Sequence, residues 1–257
     1  MAEPRIYLTD RISVENDGKL VDEREFPGRQ GRLTFAFLTL DRSRSVRRDE
    51  LISAIWRDEP PNEVDSALGS ILSKLRRSLR KAGLGIEQAC IEVKRGCVEF
   101  RLPPNTWIDV EAATNAIDEA EGALRSHDPL RAWGLSNVVV AITRRPFLPN
   151  EEAPWIERLR GRFRATLARG LHCLSTISAD RGEFSLAVQY ATEMVDLQPF
   201  QETAYQHLMR LHVRTGNGAE ALRVFNRCRT FFKEELGSSP SNETQALFLR
   251  ILRGETP

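Results

Sequence analysis

Apolar and polar positions partly alternate over residues 5–15 (RIYLTDRISVE) and 20–26 (LVDEREF), with Asp17-Gly18 between them. That period of two around a turn dipeptide predicts a small antiparallel sheet. From Gln30 to about Leu40 the run RLTFAFLTL is apolar nearly all round, the mark of a short buried helix. After the loop DRSRSVRR, Asp49 is placed to cap a helix through Leu51, Ile52, Ile55 and Trp56 that ends before Pro60-Pro61. A helix over residues 62–82 follows, with Asn62 as its expected cap and Gly83 and Gly85 closing it. Val64, Leu68, Leu72, Leu75 and Leu79 recur at spacings of three or four and share one face; Ser66, Ser70, Ser73, Lys74, Arg77 and Lys81 lie opposite. Residues 90–102 (CIEVKRGCVEFRL) read as two strands around Arg95-Gly96.

Beyond Pro103-Pro104 the period changes to that of helices. Asp109 is placed to cap a helix through Val110, Ala113, Ile117 and Leu124; a second helical region, Leu130–Val140, ends at RRPFLP, and a long helix is expected over Glu151–Leu174. Then a repeat emerges: Leu174 and Leu208, Gly182 and Gly216, Ala187 and Ala221, and Leu171 and Tyr205 are each 34 residues apart. This is the tetratricopeptide period, a helix hairpin with glycine at the turn and alanine where helices pack closely. Two aligned units fall short of the usual three, so residues 107–170 are expected to supply degenerate units or a helical cap.

Composition narrows the function. With 257 residues, 41% apolar and 28% charged, the chain is a folded protein of one large or two ordinary domains. No apolar run reaches the roughly 20 residues of a membrane span, and MAEPRIYLTDR has no signal core, so a cytoplasmic protein without a membrane partner is expected. Cys90, Cys97, Cys173 and Cys228 form no CxxC pair, and His207 and His212 are poorly spaced for one metal. With no phosphate loop or dinucleotide fingerprint either, no metal, cofactor or enzymatic activity is expected. The net charge is only +1, but Arg42, Arg44, Arg47 and Arg48 form one acid-free cluster and Lys74, Arg76, Arg77, Arg80 and Lys81 another. Local patches on a nearly neutral chain point to a localised anionic partner.

Sheet, three helices and terminal hairpin follow the order of a winged helix-turn-helix. The segments QGRLTFAFLTLDRSRSVRRDELISAIW and ALGSILSKLRRSLRKAG resemble the OmpR/PhoB-type winged helix, in the branch found in SARP-like (Streptomyces antibiotic regulatory protein) regulators. RRDELISAIW corresponds to the supporting helix and LSKLRRSL to the recognition helix. WIDVEAA, FLPNEEAPWIERLRGRF and PFQETAYQHLMRLHVRTGNGAEALRVFNRCRTFFKEELGSSPSNETQAL resemble the bacterial transcriptional activation domain. The expected fold is mainly α with a small β component: a winged helix over residues 1–102 and tetratricopeptide-like helical repeats over 103–257.

The resemblance implies a regulator, an activator, that binds double-stranded DNA through helix 62–82. It also implies RNA polymerase contact and pairing of protomers. On the face opposite the leucines, Ser66, Ser70, Ser73 and Lys74 are placed for base edges or nearby phosphates, and Arg76 and Arg77 for phosphate or a bidentate contact to guanine. Arg47 and Arg48 precede the supporting helix and are placed to hold the DNA backbone. Arg95, at the hairpin tip, is placed for the minor groove or its flanking phosphates. The hairpin departs from the usual glycine-tyrosine-arginine-leucine ending, reading GCVEFRL, and Glu99 opposes phosphate if exposed. Trp107, Phe147, Leu148 and Trp155 read as packing anchors. Two readings compete: a protein-interaction scaffold whose winged helix no longer binds DNA, motivated by the altered wing and the small charge surplus, and a ligand sensor.

Overall fold

The computed structural model describes residues 3–57, 59–85 and 90–255. They form two compact units, one of Met1–Ala112 with Arg145–Arg160 and one of Ala113–Arg144 with Gly161–Pro257. The fold is mainly helical with a small β component.

In the first unit, β1 (Arg5–Tyr7), β2 (Ser13–Asn16) and β3 (Lys19–Val21) are antiparallel neighbours, and β7 (Trp107–Ile108) joins β1 in parallel. The expected run 5–15 is two strands, because Asp10 adopts φ 65° and turns the chain; Asp17 and Gly18, at φ 46° and 73°, make the expected hairpin turn. Residues 23–25, expected in a strand, form a 3-10 turn in which the Asp22 side chain accepts from the Arg24 amide. Helix α1 (Gly28–Leu40) is buried on most of its circumference, as its apolar sequence requires. Phe35 lies against Phe26 and Phe100, with ring centres 5.0 and 5.9 Å away. Helices α2 (Arg48–Trp56) and α3 (Val64–Lys81) pack on α1, and β4 (Val46–Arg47), β6 (Cys97–Arg101) and β5 (Cys90–Lys94) complete a second sheet in that order.

The boundary expected between residues 102 and 103 falls inside this unit. β7 pairs with β1, and Asp109, at the start of α4 (Asp109–Arg125), is 1% exposed. Its carboxylate accepts from the backbone amides of Leu8, Thr9 and Val110 and, at 2.7 Å, from the Thr9 hydroxyl. Residues 145–160 fold back onto the same core. Thr9 bridges to Phe147, and the Trp155 indole donates to the Ala54 carbonyl at 3.1 Å while its ring meets Phe37 and Phe147 edge-on. Phe147, Leu148 and Trp155 are buried, as packing anchors are; Trp107 is half-buried against Tyr7.

The second unit contains α5 (Pro129–Thr143), most of α6 (Pro154–Asp180), α7 (Phe184–Leu197), α8 (Glu202–Arg214), α9 (Gly218–Leu236) and α10 (Asn242–Leu252). The 34-residue period becomes two helix hairpins, α6–α7 and α8–α9. Gly182 and Gly216 sit at the turns with φ 79° and 74°, which favour glycine. Leu171, Leu174, Ala187, Tyr205, Leu208 and Ala221 are all buried. Within this core the Ser175 hydroxyl donates to the Ala187 carbonyl, so at 2.8 Å it accepts from Nε2–H of His207. Burial, with His172, Arg210 and Arg214 nearby, pushes His207 down to about 4.

Asp109→Ala leaves three amides without their acceptor and is expected to cost about 3 kcal/mol, read as a lower urea midpoint; a loss under about 1 kcal/mol refutes that role. His207 is neutral in the folded state down to about 4 but takes up a proton in the unfolded chain below about 6.5. Stability is therefore full above 6.5 and falls, by on the order of 3 kcal/mol, as pH drops toward 4. His207→Gln should flatten that dependence in urea unfolding between pH 7 and 4.5, and identical slopes in the two proteins contradict it.

Candidate nucleic-acid interface

Helix α3 is divided lengthwise. Leu68, Leu72, Leu75 and Leu79 are 2% exposed or less, while Ser66, Gly69, Ser70, Ser73, Lys74 and Arg77 are exposed. Their spacing of three and four residues puts the exposed set on one face. The expected Asn62 cap is not the cap: Glu63 occupies that position and makes no side-chain capping bond. Nor does Asp49 cap α2; Arg47 does so through its backbone, because β4 carries the chain into the helix two residues earlier. The helix exit is tied down: the Ser78 hydroxyl donates to the Glu25 carbonyl, Asn16 donates to the Ala82 carbonyl, and Lys81 pairs with Glu25 at 2.7 Å.

The two basic clusters are not alike. In the loop before α2 every arginine meets an acid from outside the acid-free stretch. Arg42 forms a two-pronged pair with Glu111, and Arg44 pairs with Glu50 and Asp41. The Arg44 guanidinium holds the Glu50 carboxyl below the usual carboxylate range. Arg47 reaches Asp49 at 3.0 Å with both side chains about three-quarters exposed, a geometry worth little in water. Arg48 is different: half-buried, it binds the Asp65 carboxylate at 2.6 Å, while its Nε is buried with no hydrogen-bond partner among the described residues. It joins the starts of α2 and α3.

Arg76 is also engaged, donating through Nε to the Ile91 carbonyl of β5 at 2.8 Å, so it couples α3 to the hairpin. Lys74 and Arg77 stand on the exposed face with no acidic partner among the described residues. Arg95 and Gly96, at φ 51° and 76°, form the tight turn between β5 and β6 and leave Arg95 exposed at the tip. Behind the tip the charge is balanced: Lys94 and Arg101 pair with Glu92, and Glu99 accepts from the Ser45 hydroxyl at 2.9 Å. The structure thus brings Ser66, Ser70, Ser73, Lys74 and Arg77 onto one surface and turns Arg48 and Arg76 inward to neighbouring elements.

Sequence reasoning missed Gly69, which lies on the same face. A Cβ built on it has nothing within 4 Å among the described residues, whose packing therefore calls for no glycine there. In a helix interior glycine costs about 1 kcal/mol relative to alanine. The signal was available as a glycine three residues after Ser66 within the leucine period.

Comparison with known proteins follows the same architecture. The family model described as bacterial transcriptional activator domain matches residues 108–252, more than half of the chain. The chain belongs to this family. Similar proteins include the regulatory protein AfsR of Streptomyces coelicolor, 29% identical over 226 residues, which cover 88% of this chain and 22% of AfsR. The transcriptional regulator RedD of the same species is 26% identical over 219 residues, covering 81% of this chain and 60% of RedD. The chain therefore spans about a fifth of one and three-fifths of the other. The solved structure of Mycobacterium tuberculosis EmbR, obtained with a low-affinity phosphopeptide, superposes with a TM-score of 0.85 at 20% identity over 98% of this chain and 66% of that one. That likeness establishes a shared fold that includes the N-terminal half. The SARP-like chain thus carries a winged helix and a helical-repeat activator domain.

The contrast between the two adjacent arginines is testable. Arg47→Ala should change stability by less than about 0.5 kcal/mol, whereas Asp65→Ala, which takes the carboxylate from the half-buried Arg48 and leaves it only the position-65 carbonyl, should cost about 1 kcal/mol. Thermal unfolding of both variants decides it, and equal effects contradict that contrast.

Proposed function

We propose that the chain is a sequence-specific DNA-binding regulator of transcription, an activator, whose helix α3 enters the major groove. The observation that carries this reading is the split of α3 into a buried leucine face and an exposed face on which Lys74, Arg77 and Arg80 have no acidic partner among the described residues. Membership of a transcriptional activator family supports it, as do relatives named as regulators. Lys74 and Arg77 contact phosphate, where an uncompensated charge releases counterions, and Ser66, Ser70 and Ser73 face base edges. Arg95 extends the contact to the minor groove or its flanking phosphates. Arg47 joins by exchanging an exposed carboxylate for phosphate, and Arg48 and Arg76 hold α3 in its angle. The helical-repeat unit contacts RNA polymerase or a second protomer, as the family resemblance implies. Two protomers on one face of the duplex then read half-sites about 10–11 base pairs apart.

Selection of bound fragments from random-sequence duplex DNA by the purified chain is expected to enrich a motif. Binding to the winning duplex should weaken steeply with salt, and Lys74→Ala/Arg77→Ala should flatten the log–log slope by close to two. A folded protein that enriches no motif refutes the reading and marks the chain as an interaction scaffold.

A further inference from the structure

Resting on the DNA-binding reading, we infer that Gly69 sets how closely α3 approaches the floor of the major groove, which makes the segment from Ser66 to Ser73 the part of the helix that reads base edges. Gly69 lies well inside an 18-residue helix, where it weakens the very element it belongs to. The described residues give no reason for it, since an added Cβ meets none of them within 4 Å. At two other helix glycines the reason is internal: a Cβ at Gly170 would press on Val139 at 3.0 Å, and one at Gly31 would strike Pro27.

Open space alone does not distinguish Gly69, because Gly134 in α5 is equally unobstructed. Its surroundings do. Ser66, Ser70 and Ser73 flank it on the same face, and Lys74 and Arg77 continue that face toward the C-terminal end. A serine hydroxyl hangs on one side-chain carbon, a lysine ammonium on four. Both reach the same duplex only if the serine half of α3 seats deeper than the lysine half. At that depth the first atom to collide would be a Cβ at position 69, and glycine removes it. The division of labour is then fixed by side-chain length: short hydroxyls at the base edges, long cations at the phosphates, where contacts position the helix without specifying sequence.

The test compares Gly69→Ala with the unaltered full chain on two duplexes, the winner of a random-sequence selection and a shuffled duplex of the same composition. The variant is expected to melt about 2–4 °C higher, since alanine restores helix propensity in open space. It should bind the winner at least ten-fold more weakly, roughly the effect of one mismatched base pair, and the shuffled duplex within two-fold of the unaltered chain. Unchanged binding to the winner overturns the inference while leaving the DNA-binding reading intact. Equal weakening on both duplexes, or a lower melting temperature, overturns it as well, the latter by exposing a role inside the chain. If the unaltered chain binds neither duplex, the DNA-binding reading falls and takes this inference with it.

Discussion

The carboxylate of Asp109 is buried with four donors converging on it, three backbone amides and one hydroxyl. Two of those amides belong to Leu8 and Thr9, about a hundred residues away in sequence. The third is the Val110 amide in the first turn of its own helix, where the positive end of the helix dipole favours a negative charge. Burial pushes the carboxyl upward, and the donors from Thr9, Leu8 and Val110 pull it back down. Around this group β1 ends, β7 finds its parallel register, and α4 begins. The sheet and, through the Thr9–Phe147 bridge, the returning segment depend on the geometry it fixes, because an unpaired carboxylate at that depth is costly.

Electrostatics on the surface of the same unit follows a second rule: a positive charge is either spent or kept. Arg42, Arg44, Arg47 and Arg48 are spent on Glu111, Glu50 and Asp41, Asp49, and Asp65 respectively. Lys94 and Arg101 are spent within the hairpin. Among the described residues, the cations kept without an acidic partner include Lys74, Arg77 and Arg80 on α3 and Arg95 at the turn. A chain with a net charge of only +1 can still present a localised cationic strip by compensating the rest.

Helix α3 also shows where local preference gives way. Its leucine face is what packing against α1 demands, yet its outer face combines serines, which favour caps and turns, with a glycine in mid-helix. A surface chosen for helix stability alone would carry alanine, glutamate and lysine. Departures of this kind from local consistency are expected where a surface serves a partner. The cost is carried by the buried leucines and by the ties at the helix exit, to Glu25 and Asn16.

The leucine period of α3, the all-round apolar run of α1, the Arg95-Gly96 turn and the 34-residue repeat were all legible in the chain, because each depends on residues a few positions apart or on an interval repeated intact. Those features settled the fold class and singled out α3 as the candidate interface. The caps at Asn62 and Asp49 were misread because backbone geometry inherited from β4 and from the loop before α3 overrode side-chain preference. The partners of the loop arginines were hidden for a related reason: Glu111 and Asp65 lie 69 and 17 residues from the arginines they bind, and no local pattern announces such a pairing. The same holds for the return of residues 145–160 to the first unit, decided by an indole bonded to the Ala54 carbonyl and a ring wedged between Phe37 and Phe147. Sequence period determined which faces are buried; long-range burial of charge and aromatic rings, whose energy depends on partners brought together only by folding, decided which cations remain free and where the compact units begin and end.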